Sequence, residues 1–277
     1  MNIDHCPLTI KHRRLEIEMR KIILLLFAAC IALPALAQDK WEKWGPTSPS
    51  QAGFLVRAGY TIGGTTPLPL PNEIRSINEF SPKGGATIGL DVYKMFWRRW
   101  GIMAGWHFYY QGFHTGADVK NYKMSLTQEG NTMSGYFTGR DITNTDMWGM
   151  TLPVMVTFRM SSRWNFSFGP YLSLYFKKHF KGEVYDNKDG IGYLRVDYPT
   201  GEKINIDSEN PATYNFSDDM RNWNGGMEFV FDYKATRHLN VFGTLDWGLS
   251  SIWSKDFEAV DFKMYPIYAT VGVAYRY

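Results

Sequence analysis

KMYPIYATVGVAYRY, residues 263–277, alternates two kinds of side chain with a period of two. Tyr265, Ile267, Ala269, Val271, Val273, Tyr275 and Tyr277 fall on one face and Met264, Tyr268, Thr270, Gly272, Ala274 and Arg276 on the other, because successive strand side chains point to opposite sides of a sheet. The first face suits lipid and the second a packed interior. Seven earlier segments repeat the split. Phe54, Val56, Ala58 and Tyr60 oppose Leu55, Arg57 and Gly59, and Ala86, Ile88, Leu90 and Val92 oppose Gly85, Thr87, Gly89 and Asp91. Trp100, Ile102, Ala104, Trp106, Phe108 and Tyr110 oppose Met103, His107, Tyr109 and Gln111, and Trp148, Met150, Leu152, Val154, Val156 and Phe158 oppose Thr151, Pro153, Met155, Thr157 and Arg159. Trp164, Phe166, Phe168, Leu172, Leu174 and Phe176 oppose Asn165, Ser167, Gly169, Tyr171 and Ser173. Trp223, Met227, Phe229, Phe231 and Tyr233 oppose Asn224, Gly226, Glu228 and Asp232, while Leu239, Val241, Leu245, Trp247 and Leu249 oppose Asn240, Thr244, Asp246 and Ser250.

Periodicity alone does not say which face is inside, since a soluble antiparallel barrel inverts the arrangement. Residue type does. An eight-stranded barrel has room inside for little beyond its own side chains, which suits the face rich in Gly, Ser, Thr and Asn. Bulky residues run continuously along the other face, and its Trp and Tyr gather near segment ends, as in the interfacial girdles of membrane barrels. Segments of this length, tilted, cross a bilayer. The connections following the second, fourth and sixth segments are brief and basic, whereas the longest run from about Gly112 to Met147 and from about Lys177 to Arg221. The predicted fold is therefore all-β: an eight-stranded antiparallel up-and-down transmembrane β-barrel with short periplasmic turns and long extracellular loops.

Arg20 and Lys21 precede an apolar stretch from Ile22 to Leu33, followed by Ala35-Leu36-Ala37 before Gln38. This reads as a secretory signal over 19–37 with an A-x-A cleavage site, too short to span a membrane as a helix. Residues 1–18 then read as a start-site extension, 38–52 as a periplasmic lead, and 53–277 as the barrel. Residues 1–37 contain five Lys or Arg and three Asp or Glu, so the totals of 30 and 27 fall to 25 and 24 and the formal charge from +3 to +1. A near-neutral chain offers no electrostatic case for nucleic-acid binding. Cys6 and Cys30 also leave with the signal, and with them disulfides, thiolate nucleophiles and Cys-ligated zinc.

Local chemical motifs are absent: there is no GxSxG, HExxH, Walker-type or GxGxxG run, so no catalytic site, metal site or cofactor is expected. The inward positions carry Arg57, Asp91, His107, Arg159, Glu228, Asp232, Asp246 and Arg276. Mixed signs in a narrow interior predict a paired charge network that plugs the lumen, because an isolated buried charge is costly. Arg159 and Arg276 are expected to meet Glu228 and Asp232 near the periplasmic end. Asp186, Asp189, Asp218 and Asp219 do not match an EF-hand spacing and read as solvated loop acids. His114 and His179 lie near a rim, and a lipid acyltransferase or deacylase would need a Ser or equivalent nucleophile beside one of them. The expected role is structural or interactive, through the outer loops of a monomeric barrel. A lipid-modifying enzyme and a narrow channel are the alternatives.

Leu152-Pro153 in the fourth segment, a short turn, and Phe168-Gly169-Pro170-Tyr171 in the fifth resemble the outer-membrane β-barrel domain of Bacteroidota that includes the PorT-like proteins. The resemblance spans roughly residues 53–277. It implies an integral outer-membrane protein embedded in lipid, without known catalysis, some of whose relatives take part in secretion, so that envelope or secretion proteins become candidate partners. Val273, Tyr275 and Tyr277 resemble the terminal signal by which the barrel-assembly machinery recognises its clients.

Overall fold

The computed structural model describes residues 52–277 apart from 97, 98, 129, 197, 198, 256, 258 and 261. The start-site extension, the secretory signal and all but the last residue of the lead lie outside the described residues. The described chain is all-β, an antiparallel sheet of twelve strands with no helix among the described residues. In chain order they are β1 (Ala52–Pro67), β2 (Ile74–Pro82), β3 (Gly85–Met95), β4 (Trp100–Gln128), β5 (Asn131–Arg159) and β6 (Trp164–Tyr185). There follow β7 (Tyr193–Arg195), β8 (Lys203–Asn205), β9 (Ala212–Asn215), β10 (Trp223–Lys234), β11 (Leu239–Gly248) and β12 (Met264–Arg276).

The pairings run β1 to β3, β4, β5, β6, β10, β11 and β12, and β12 pairs back onto β1 from Leu55↔Arg276 to Pro67↔Met264. Three tight turns join neighbours at one end of this circuit. Each closes on the same backbone bond: Phe96 N to Trp100 O at 2.9 Å, Met160 N to Trp164 O at 3.0 Å, and Ala235 N to Leu239 O at 3.0 Å. We call this the turn end. The faces are those the alternation predicts, with Val271 at 66% exposure and Val154 at 60% on the outside against Tyr268, Thr270 and Met155 buried within.

Aromatic pairs bound the apolar outer belt. Trp100 packs on Phe158 with centroids 4.7 Å apart and Trp164 on Tyr233 at 4.8 Å near the turn end, while Tyr110 packs on Trp148 at 4.8 Å above them. Ten residues separate Trp100 from Tyr110; at ~3.4 Å per residue and a tilt of ~40° the belt is about 26 Å tall, the thickness such barrels present to lipid.

The sheet departs from the expected one where long loops were read. The stretch from Gly112 to Met147 is not a loop: β4 and β5 run 29 residues each and pair out to Gln128↔Asn131, turning at Gly130 with φ 82°. The inward alternation continues as Phe113, Ala117 and Val119, then shifts by one at a bulge where Asn121 adopts φ 53°, and resumes at Tyr122, Met124 and Leu126. A second bulge, facing Trp148 and Gly149, changes the parity of β6 so that Phe180 and Val184 turn inward. A bulge adds one unpaired residue and flips every later side chain. Outside the belt the outward face no longer meets lipid, so its side chains are polar and the segment looks loop-like in composition.

The stretch from Lys177 to Arg221 likewise holds the rest of β6 and the short β7, β8 and β9. β9 pairs β6 from Lys181↔Asn215 to Val184↔Ala212 and touches the tip of β4 at Thr127↔Thr213, roofing the extended end. β2 adds to β4 from Ile74↔Val119 to Pro82↔Phe113. β1 pairs β3 only as far as Thr61↔Gly85, and from Ile62 to Pro67 its partner is β12. Among the described residues no pairing joins β2 to β1, which leaves a seam in the wall between them.

Candidate functional site

Two interior regions concentrate the chemistry. The lower one lies within the aromatic belt. β1 and β3 present Arg57 and Asp91 to the interior, β4 presents His107, and β10 presents Asp232. Arg57 Nε donates to Asp91 Oδ2, and Arg57 Nη2 donates to Asp232 Oδ2 at 3.1 Å. His107 Nε2 donates to the other Asp91 oxygen at 2.9 Å. The guanidinium also sits 4.8 Å from the Phe242 ring centroid and 3.5 Å from Met103 Sδ. Asp91 is wholly buried and Arg57 is 2% exposed, so these charges are stabilised by each other and not by water. Gly89 and Gly105 make room for the pair: a Cβ at Gly89 would lie 2.1 Å from His107 Cδ2, and one at Gly105 would lie 2.1 Å from Asp91 Oδ1.

Little space remains at this level. A void of about 20 Å³ lies among Arg57, His107, Gln111, Glu228 and Asp246, and another of about 20 Å³ among Tyr93, Met103, Arg159, Asp232 and Arg276. Each is large enough for about one water, since a site needs only about 10–15 Å³ of such volume for that.

The upper region is different in kind. Beyond the Tyr110–Trp148 pair the interior becomes apolar, and it contains a cavity of about 300 Å³. Its walls include Phe113, Val119, Met124, Phe180, Phe216 and Trp253. The aromatics brace each other, Phe180 against Trp253 at 4.8 Å and Tyr214 against Phe216 at 4.9 Å. Polar groups interrupt the wall at few points. Tyr214 Oη donates to Asp141 Oδ1 at 2.8 Å and shares a 2.7 Å bond with Thr143 Oγ1. Asp141 stands seven residues beyond Trp148, outside the belt. Burial pushes its carboxyl up to about 7, against the Tyr214 hydrogen bond that favours the anion. Thr65 Oγ1 and Trp253 Nε1 are buried without a hydrogen-bond partner among the described residues.

Of the inward charges read from sequence, Arg57, Asp91, His107 and Asp232 are joined directly. Glu228 and Asp246 face each other across β10 and β11, at the void beside Arg57 and His107. Arg276 lies over the Tyr93 ring at 5.7 Å and reaches Asn240 Oδ1 at 3.5 Å; it shares the second void with Arg159 and Asp232. Val273, Tyr275 and Tyr277 lie on the outer face at the turn end, where Tyr275 packs on Tyr277 at 4.9 Å and on His238 at 5.8 Å. His114 points outward, with Nδ1 3.0 Å from Asn144 Oδ1 and Nε2 3.5 Å from Glu79. His179 is register partner to Asp146. Asp186 caps the Ser208 amide at 2.8 Å, and no cluster of three metal-ligating side chains occurs among the described residues. Sequence reading missed Thr65, Asp141, Tyr214 and Trp253. For Asp141 a signal existed: it continues the inward phase of Met147, Thr145 and Thr143.

A family model described as outer membrane protein beta-barrel domain matches residues 37–254. No curated protein matches the chain by sequence. Among solved structures, Ail of Yersinia pestis in complex with sucrose octasulfate is similar at 8% identity, covering 82% of this chain and 99% of that one with a TM-score of 0.34. OprG of Pseudomonas aeruginosa is similar at 12% identity, covering 83% and 98% with a TM-score of 0.33. Neisserial surface protein A gives 10% identity, 82% and 99% coverage, and a TM-score of 0.31.

Proposed function

This chain belongs to the outer membrane protein beta-barrel domain family and resides in the outer membrane, and from that premise we propose that it is a non-conducting, non-enzymatic barrel acting through its extended end. The strand circuit is read as an eight-stranded transmembrane barrel, with the turn end in the periplasm and β4, β5, β6 and their short companions rising outside the cell. The filled lumen carries this reading. Between the aromatic girdles the interior is occupied by the Arg57–Asp91–His107–Asp232 network, and the voids beside it among the described residues are each about 20 Å³. A solute path would need a far wider bore, as in barrels of more strands.

The catalytic alternative lacks support at the rim. His114 is engaged by Asn144 and Glu79, and no serine hydroxyl is bonded to it among the described residues. The outward face of the extension is instead laced with polar contacts suited to a partner surface: Arg140 reaches Glu79 at 3.6 Å and Asp118 at 3.8 Å, and Lys83 pairs with Asp146 at 3.1 Å. In this reading the chain is a monomeric PorT-like barrel, exported by the signal at 19–37 and recognised by the assembly machinery at Val273, Tyr275 and Tyr277. Envelope or secretion proteins are its partners. Reconstitution in planar bilayers tests the plugged lumen. No steady open current is expected, and large, stable porin-like steps from purified protein refute it.

A further inference from the structure

The upper cavity supports an inference that goes beyond the surface role and does not depend on it. We propose that this cavity binds a neutral, mostly apolar small molecule carrying one or two hydroxyl or carbonyl groups, admitted sideways through the seam between β1 and β2. At about 300 Å³ the cavity falls at the lower end of the range for small-molecule sites, and its makeup, aromatic and aliphatic walls with few convergent polar groups, is that of such sites.

Two polar atoms point to the ligand's chemistry. Thr65 and Trp253 line the cavity, and Thr65 Oγ1 and the Trp253 indole N–H are buried with no hydrogen-bond partner among the described residues. Buried donors left unmade are costly and uncommon. An indole N–H can only donate, so a molecule that reaches it by a small adjustment of the wall carries an acceptor oxygen. Charge narrows the class further. No lysine, arginine or histidine lines the cavity among the described residues, and its one carboxyl is Asp141. An anionic ligand would therefore bury a second acid beside Asp141 with no cation to offset it. A fatty alcohol or a long-chain ester fits, and a free carboxylate does not.

The seam supplies the entrance. Thr65, Thr66, Pro67 and Leu70 line the cavity from the β1 side, and Ile74, Ile77 and Phe80 from the β2 side. No hydrogen-bonded ladder crosses between them among the described residues. Leu68, Leu70, Ile77 and Phe80 are 44–53% exposed around it, an apolar lip next to an apolar interior. Phe80 is register partner to Thr115, five residues beyond Tyr110, which places the lip roughly 13 Å above the girdle at ~2.6 Å per tilted residue.

The test uses the full chain in lipid nanodiscs, with empty discs as the blank. Displacement of the fluorescent neutral probe N-phenyl-1-naphthylamine by dodecan-1-ol, dodecane and dodecanoate is followed at pH 8. Saturable displacement by dodecan-1-ol is expected, with dodecanoate weaker by at least about tenfold, consistent with an uncompensated buried charge. Trp253→Phe keeps an aromatic ring while trimming the wall and removing the N–H; it should weaken dodecan-1-ol about fivefold relative to dodecane, the worth of one ordinary hydrogen bond. Ala117→Phe, opposite Asp141 in the register and on the cavity wall, should abolish binding. Its folding is checked by the heat-dependent gel shift of barrels. If that variant does not fold, Thr65→Val, which is nearly isosteric, and Trp253→Phe, read against dodecane, decide the matter. Displacement no greater than in empty discs, equal affinity for the alcohol and the carboxylate, or indifference of dodecan-1-ol, relative to dodecane, to both Thr65→Val and Trp253→Phe overturns the proposal.

Discussion

Val154→Arg measures how deeply the belt lies in lipid. Val154 is 60% exposed on the outer face of β5, four residues from Phe158 in one girdle and six from Trp148 in the other. With ~2.6 Å of height per tilted residue, these separations correspond to about 10 and about 16 Å, which puts the side chain close to the bilayer midplane. Arginine there should destabilise the protein by about 2–4 kcal/mol, whereas Trp148→Arg at the boundary should cost at most about 1 kcal/mol for the charge itself. Thr157→Ser, facing inward, keeps a hydroxyl for the 2.9 Å bond to Ser167 and should shift stability by less than about 1 kcal/mol. The assay is reversible guanidinium unfolding in phosphatidylcholine vesicles, extrapolated linearly to water. A Val154→Arg cost below about 1 kcal/mol, or one no greater than that of Trp148→Arg once the lost indole contact (measured by Trp148→Ala) is subtracted, refutes the placement of the belt.

Asp91→Leu removes the acceptor shared by Arg57 and His107, and should cost about 3–5 kcal/mol in the same unfolding assay, because it leaves the buried guanidinium with Asp232 as its remaining carboxylate and the His107 ring without its acceptor. Gly105→Ala would set a Cβ 2.1 Å from Asp91 Oδ1 and should cost about 1–3 kcal/mol; a neutral outcome would mean that the network has slack. Asp141 predicts a pH dependence. Its folded pKa of about 7 lies above the unfolded value of 3.8, so the stability it contributes is complete below about 4, declines as the pH climbs, and is gone above about 7. At about 1.4 kcal/mol for each pH unit separating the two values, the decline is on the order of 4 kcal/mol, and Asp141→Asn should flatten it over that window.

The transmembrane half was legible because its physics is local. Lipid outside and a crowded interior inside impose alternation at every residue, so Val271 and Tyr268 announce their faces without reference to any neighbour. Above the girdle that constraint ends. Outward residues such as Lys123 and Asn144 face water, the Asn121 bulge resets the phase, and a 29-residue strand resembles a loop in composition. The inward charges were readable one by one, yet their partners depended on register. Arg57 finds Asp91 one strand over and Asp232 across the interior, pairings set by long-range closure that no local pattern carries. The cavity was the least legible feature, since β1, β2, β4, β6 and the segment around Trp253 each contribute part of a wall that exists only once they meet.

The interrupted ladder above Thr61 makes the molecule mechanically uneven. Below it every strand is a link in an unbroken hoop, and widening that hoop means breaking rows of backbone hydrogen bonds together. Above it the hoop is cut. β2 is held by its ladder to β4 and by the connection over 68–73, and moving it away from β1 breaks no backbone ladder among the described residues, so the rim is softer along the cut than the hoop below it. A thermally driven opening there leaves the hoop below, with its buried charges, under no added load.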